Sequence, residues 1–165
     1  MSFFPEREAD ERDLRALVAD GEAYIHGNTV IMILFPLAYG TLTFVFGDAL
    51  WGKGTVYDTA QIVPGAPQTW GAYTFICGLM ILYGTRTKNK DRRARFIILG
   101  CGFQVIWSAF FALTFVIDCL DYATPLGATG ALIHSTLLYF YANRVILAWK
   151  TRHNPVDYRS LQQRA

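Results

Sequence analysis

The residue best placed for chemistry in this chain is His134, a histidine inside a long apolar stretch. An imidazole in the middle of a membrane helix can relay protons, contact a quinone or ligate haem. Bis-histidine haem ligation needs a second histidine at the same depth, which only a second copy of this chain would supply. The alternative is a neutral imidazole hydrogen-bonded to Gln104, Ser108 or a tyrosine. We favour that alternative because the apolar stretches carry no carboxylate deep inside them to complete a relay.

The other reactive side chains form no recognised catalytic motif. Cys77, Cys101 and Cys119 are isolated thiols, with no CxxC pair and no histidine at metal-ligand spacing. The sequence has no glycine-rich phosphate loop and no Ser/His/Asp set. We therefore predict a non-enzymatic protein with no cofactor and no metal site.

Four long apolar stretches, residues 29–46, 69–84, 96–117 and 126–149, make up most of the chain. A helix needs ~20 mostly apolar residues to cross the ~30 Å core of a bilayer. The first and third stretches contain no charged residue, and the charges between stretches occur in blocks. This pattern predicts an all-α polytopic membrane protein, an antiparallel bundle of four transmembrane helices. Pro36, in the middle of the first stretch, is expected to kink its helix.

The basic residues predict the orientation of these spans. Of the 15 lysines and arginines, all but Lys53 fall on one side of the predicted bundle. The positive-inside rule then places both termini and the loop between spans two and three in the cytoplasm, for a protein of the inner (plasma) membrane. This loop is expected to contact anionic lipid headgroups, and no nucleic acid. Its basic residues are Arg86, Lys88, Lys90, Arg92, Arg93 and Arg95.

The chain divides into an acidic segment (residues 1–27), the transmembrane domain (28–149) and a basic tail (150–165). The acidic segment is predicted to form a cytoplasmic amphipathic helix. Anionic lipid should repel its acidic residues, so we expect it to dock on the basic segments or on a basic partner. A solvated, frayed terminus is the alternative. The apolar face of this helix comprises Leu14, Leu17, Val18 and Ile25.

Small and polar residues recur at every fourth position of spans three and four. In lipid, such residues allow close backbone approach and hydrogen bonds between helices. The short turn at residues 118–125 makes these two spans an antiparallel hairpin, so the two series should face each other. We predict that this seam is the closest helix contact in the protein. It comprises Gly100, Gln104, Ser108 and Ala112 of span three, and Gly127, Ala131, Ser135, Tyr139 and Asn143 of span four.

The succession of span, basic loop (86–95), glycine-containing span and acidic turn (118–125) resembles small four-span membrane proteins of actinobacteria and their phages, some of which are called holin-like. The resemblance implies a small non-enzymatic membrane protein. It covers the whole hydropathy profile of the chain.

Three functions follow as hypotheses. The first is an accessory or interaction protein that packs against a larger membrane complex or modifies a host cell envelope. Its partners would be membrane lipids and another membrane protein or a second copy of itself. The second is a holin-like, self-associating pore former, although the spans show no continuous polar face to line a pore. The third is a small transporter or a redox protein that contacts quinone through His134.

Overall fold

A computed structural model describes residues 5–52, 57–122 and 125–153. Within them the chain is all-helical, which confirms the all-α part of the predicted fold class. Each predicted span lies in its own α-helix, and a short 3₁₀ helix lies between the first two. The helices are α1 (Pro5–Leu50), the 3₁₀ helix (Ala60–Ile62), α2 (Gln68–Arg86), α3 (Lys90–Tyr122) and α4 (Leu126–His153).

The chain forms two compact units, Met1–Met32 and Ile33–Ala165. Helix α1 begins in the first unit and ends in the second, so its packing on the other helices is described from Ile33 onward. In the first unit, the Thr29 hydroxyl donates to the Ile25 carbonyl at 2.7 Å, one turn back in the helix.

Two helices are long and apolar enough to cross a membrane, over Tyr24–Leu50 of α1 and Lys90–Asp121 of α3. Helix α2 has 19 residues and α4 has 28, but aromatic and polar side chains lower their hydropathy. Two of the four predicted spans thus have the length and hydropathy of a membrane helix.

Helix α1 has a kink near its end. The backbone leaves helical geometry at Phe46, with φ −116° and ψ 15°. Pro36 lies inside α1, ten residues before Phe46. The kink that the sequence predicts at Pro36 stays a prediction.

Local turn chemistry sets the starts of α2 and α3. Gly65 has φ +73°, a conformation that glycine adopts without a Cβ clash, and it precedes the cis Ala66–Pro67 peptide bond that leads into α2. At the start of α3, the Asn89 side-chain oxygen accepts the Arg92 amide proton at 3.1 Å, an N-cap bond.

Glycines allow α2 to approach both α1 and α3 closely. Where α1 crosses α2, Gly40 and Gly71 lie backbone to backbone: a Cβ on Gly40 would be 2.6 Å from the Phe75 nitrogen and 2.8 Å from the Gly71 carbonyl oxygen. Gly100 of α3 lies against α2 in a similar way, and its Cβ would be 3.0 Å from the Cys77 carbonyl oxygen. A side chain at any of these glycines would push the helices apart.

Helices α3 and α4 form the predicted antiparallel hairpin, and their contact is more extensive than that of α2 with α3. Near the turn, Gly127 packs on Cys119, where a Cβ would be 2.7 Å from the cysteine Cβ. At the far end, the Arg152 guanidinium pairs with the Asp91 carboxylate at 2.8 Å. These contacts fix the register of the hairpin along its whole length.

The four helices enclose a core that is mostly apolar but includes polar side chains, and they expose many large apolar residues. Among the described residues, the buried polar side chains are Thr29, Thr43, Thr74, Gln104, Ser108, Thr114, Asp118 and His134. Apolar side chains that are at least 44% exposed include Leu42, Val45, Ile76, Leu79, Leu99, Ile106, Leu113, Leu132 and Ile146. A helix of a water-soluble domain instead turns polar and charged residues to its outer face.

Candidate functional site

His134 lies in a closed aromatic chamber between α3 and α4. Its imidazole centroid is 4.8 Å from the nearer Trp107 ring centroid, and the two rings meet edge to face. It stacks on Phe111 at 5.2 Å and on Phe115 at 5.3 Å. His134 is 6% exposed, and contacts from three rings fix the imidazole plane. The chamber therefore holds the ring by packing, as it would hold a phenyl ring.

The polar neighbours that the sequence suggested for His134 point elsewhere or stay unpaired. The Gln104 amide donates to the Thr74 carbonyl of α2 at 3.4 Å, and thus links α3 to α2. Among the described residues, no hydrogen-bond partner meets His134 Nδ1, the Ser108 hydroxyl or the Gln104 carbonyl oxygen. A proton relay needs a chain of such bonds, and the described side chains form none through Nδ1.

The other candidates for chemistry do not converge on this chamber. Within residues 5–52, 57–122 and 125–153, no three His, Cys, Asp or Glu side chains lie close enough to hold a metal ion. Cys77 and Cys101 are buried free thiols, and Cys119 is a half-buried one. The arrangement in the described part of the chain thus offers a packed aromatic core rather than an acid–base or nucleophilic set.

We predict that His134→Phe will leave the protein folded, whereas His134→Ala will destabilise it. Phenylalanine preserves the stacking on Phe111 and Phe115 and removes an unpaired nitrogen, so the change should stay within about 1 kcal/mol. Alanine leaves a cavity and should cost about 3 kcal/mol. Unfolding in mild detergent, monitored by tryptophan fluorescence, measures both variants. A folded His134→Phe protein that loses a biological activity would instead assign chemistry to the imidazole.

Trp51 and residues 57–62 lie over one end of the helices, and we call them the aromatic cap. Trp51 is 4% exposed, and it stacks on Tyr57 at 4.7 Å and meets Phe111 edge to face at 5.7 Å. The Gln61 side chain donates to the Trp51 carbonyl at 2.9 Å. Burial raises the pKa of the Tyr57 phenol above its usual value. The cap closes the aromatic chamber at this end of the helices.

A buried carboxylate fastens this cap to α3. Asp118 is 1% exposed, and one carboxylate oxygen accepts the Thr59 hydroxyl proton at 2.5 Å. The Trp70 indole of α2 donates to the Ala60 carbonyl at 3.0 Å. The sequence assigned Asp118 to the acidic turn 118–125, whereas it lies buried near the end of α3. The signal that could have revealed its burial is its spacing, three and seven residues after Phe115 and Phe111 on one helical face.

Only part of the predicted seam lies between α3 and α4. Gly127 is buried there, and Ala131 is partly buried, but Ser135, Tyr139 and Asn143 are exposed. On α3, Gln104 and Ser108 are buried and Ala112 is partly buried. Gly100 packs on α2, so its predicted place in the seam with α4 is wrong.

The fourfold spacing fails because an α-helix has 3.6 residues per turn. Each step of four residues moves about 40° around the helix, so the series rotates about 160° from Gly127 to Asn143. The buried positions of α4 follow a spacing of seven, which drifts less and in the opposite sense. They are Gly127, His134, Tyr141 and Ala148.

The basic loop and the start of α3 carry their cations on the surface. All six predicted basic residues of this segment are exposed. Arg95 pairs with Asp91 one turn away at 2.8 Å, and Arg93 donates to the Thr87 carbonyl at 3.2 Å. Exposed pairs of this kind contribute about 0–1 kcal/mol, so these cations remain available to anionic groups.

The backbone of the predicted docking helix is helical, as part of α1. Ile25 is 36% exposed. The side chains of Leu14, Leu17 and Val18 lie outside the described residues, as does the tail from residue 154 onward. The docking of this segment stays a prediction.

No family model, curated protein or solved structure matches this chain. The chemistry and placement of its own residues therefore carry the evidence for its function.

Proposed function

We propose that this protein is a multi-pass membrane protein that acts through its surfaces, as a non-enzymatic accessory subunit of another membrane protein. The observation that carries the proposal is the large number of exposed apolar side chains on every helix. These apolar residues surround all four helices, while eight polar side chains are enclosed among buried apolar ones. Lipid solvates such a surface, whereas water would drive it to aggregate.

The dimensions and charges support four spans. Helix α2 has 19 residues and so measures about 28 Å, enough for a bilayer core, and α4 is longer. Arg86 at the end of α2, Lys90 at the start of α3 and Lys150 near the end of α4 share one end of the hairpin. Antiparallel spans with their cations at one end obey the positive-inside rule, with that end cytoplasmic.

An accessory role is the interpretation that best fits the enclosed and exposed side chains of this protein. The enclosed His134 is packed by aromatic rings, and the described acidic and thiol side chains form no cluster around it. The exposed features are apolar helix faces and a cationic loop. These are surfaces for lipid and for other transmembrane helices.

Topology is tested by labelling single cysteines in intact cells, with Cys119 replaced by alanine and the buried Cys77 and Cys101 kept. We expect Ile62→Cys to react with a membrane-impermeant maleimide from outside, since Ile62 is 78% exposed in the cap. Lys88→Cys, in the basic loop, should react only after the membrane is permeabilised. Reaction of both sites from outside, or recovery of the protein in the soluble fraction, would refute the multi-pass placement.

The accessory role is tested by purifying the tagged protein from its native membrane in gentle detergent and measuring native mass. We expect a second membrane protein at constant stoichiometry, still bound when His134 is phenylalanine. A large homo-oligomer without a partner, together with loss of membrane potential on expression, would contradict the proposal and indicate a pore former.

A further inference from the structure

One exposed face of α4 carries polar side chains at a depth where lipid should surround it. Ser135, Tyr139 and Asn143 are all exposed, Tyr139 by 66%. Tyr139 lies about 20 Å from either end of α4, near the centre of the proposed span. Successive members of this set are about 40° apart, so all three occupy one side of the helix. We call them the α4 polar face.

The outer face of α3 at the same depth is apolar. The hairpin register places Ile106 of α3 level with Tyr139, and Leu99 and Leu113 lie about two turns to either side of it. Exposed hydroxyls on the lipid-facing surface can donate a hydrogen bond to a carbonyl of their own helix. Thr41 donates to the Leu37 carbonyl in this way, and Thr136 donates to the Leu132 carbonyl. A tyrosine hydroxyl reaches too far from its own backbone to be satisfied in this way. Hydrocarbon offers it no hydrogen bond.

We propose that the α4 polar face binds the same face of a second copy of this chain, forming a homodimer within the membrane. The inference rests on the proposed multi-pass placement and deepens it by assigning a surface and a partner. Each Ser135, Tyr139 and Asn143 would then hydrogen-bond across the interface rather than face lipid.

The chemistry of the face favours a second copy as its occupant. Two copies with one topology are related by a twofold axis along the membrane normal, so residues near the axis meet their own equivalents. Serine, tyrosine and asparagine each carry both a donor and an acceptor, so each can hydrogen-bond to itself. A charged residue would repel its equivalent, and the exposed positions of α4 from Ala128 to Asn143 include no charged side chain.

Cross-linking in membranes tests this proposal directly. With Cys119 replaced by alanine, Asn143→Cys is oxidised with copper phenanthroline in isolated membranes. We expect a disulfide-linked dimer that forms within minutes. Ile106→Cys is the matched control, since it lies on the lipid-facing surface at similar depth but on α3, and it should remain monomeric. Cys77 and Cys101 are 2% and 0% exposed and should not react.

Each outcome decides the proposal. Dimer from Asn143→Cys and none from Ile106→Cys supports it. Equal cross-linking of both sites indicates random collision, and no cross-linking of a membrane-inserted Asn143→Cys protein indicates that lipid or another protein covers this face. Either result overturns the homodimer, while the topology labelling shows separately whether the membrane placement holds.

The proposed hydrogen bonds across the interface are tested with substitutions that remove the polar group and nearly keep the size of the side chain. Ser135→Ala, Tyr139→Phe and Asn143→Leu should each lower the association constant about threefold, measured by energy transfer between labelled copies in lipid vesicles. Ile106→Leu should leave it unchanged. An unchanged association constant in the triple variant would exclude the polar face as the interface.

Discussion

Replacing Gly71 with valine should separate α1 from α2 and lower the free energy of unfolding by about 3 kcal/mol. The glycine lies where the two backbones touch, and a Cβ there would meet the Phe44 nitrogen and the Gly40 carbonyl oxygen. Because backbone atoms cannot rotate away as a side chain can, the helices must move apart and lose their contacts. Denaturation of the protein in mixed detergent micelles measures the loss.

Gly102→Val is the matched control for this substitution. Gly102 lies in the third helix, and a Cβ there meets nothing within 4 Å. Both variants replace a helical glycine with the same β-branched residue, so the comparison isolates the helix crossing. Equal stability of the two variants would show that α1 and α2 do not cross at Gly71.

Replacing Thr59 with valine should loosen the aromatic cap and cost about 2 kcal/mol. The substitution keeps the shape of the side chain but removes the proton that the buried Asp118 carboxylate accepts. Hydrogen bonds to charged groups contribute about 1.5–3 kcal/mol, and the carboxylate would remain buried without this donor. Unfolding in detergent measures the cost, and proteolysis of the segment between α1 and α2 measures the loosening.

Thr41→Val is the control for this prediction. The Thr41 hydroxyl is exposed and donates to the Leu37 carbonyl of its own helix. Loss of this hydroxyl should therefore change the free energy of unfolding by less than about 0.5 kcal/mol. The double variant Thr59→Val, Asp118→Leu removes both partners and should recover part of the loss. Equal proteolysis of the Thr59→Val and native proteins would show that this bond does not hold the cap.

The helices could be predicted from the sequence because their signal is local. Residues 126–149 are an apolar run, and α4 is Leu126–His153; residues 69–84 are another, and α2 is Gln68–Arg86. The antiparallel hairpin also followed from the sequence, since a turn of a few residues leaves α3 and α4 no other arrangement. The contact of Gly127 with Cys119 near the turn bears this out.

The faces that meet could not be predicted from spacing alone. A residue such as Tyr139 can sit in a fourfold series with Gly127 and still lie on the opposite side of the helix, because small rotations accumulate over several turns. Asp118 was missed for a related reason. The burial of Asp118 depends on Thr59 and the aromatic cap, which belong to a distant part of the sequence.

The sequence by itself determined that this protein is helical, where its helices lie and how its charges are separated, because helix formation and hydropathy depend on neighbouring residues. The tertiary structure decided which side of each helix is enclosed. Packing is set by shape at the contacts, where glycines such as Gly40 and Gly71 admit a neighbouring backbone and the rings around His134 fill the space between α3 and α4. Those choices leave Ser135, Tyr139 and Asn143 on the exposed side of α4.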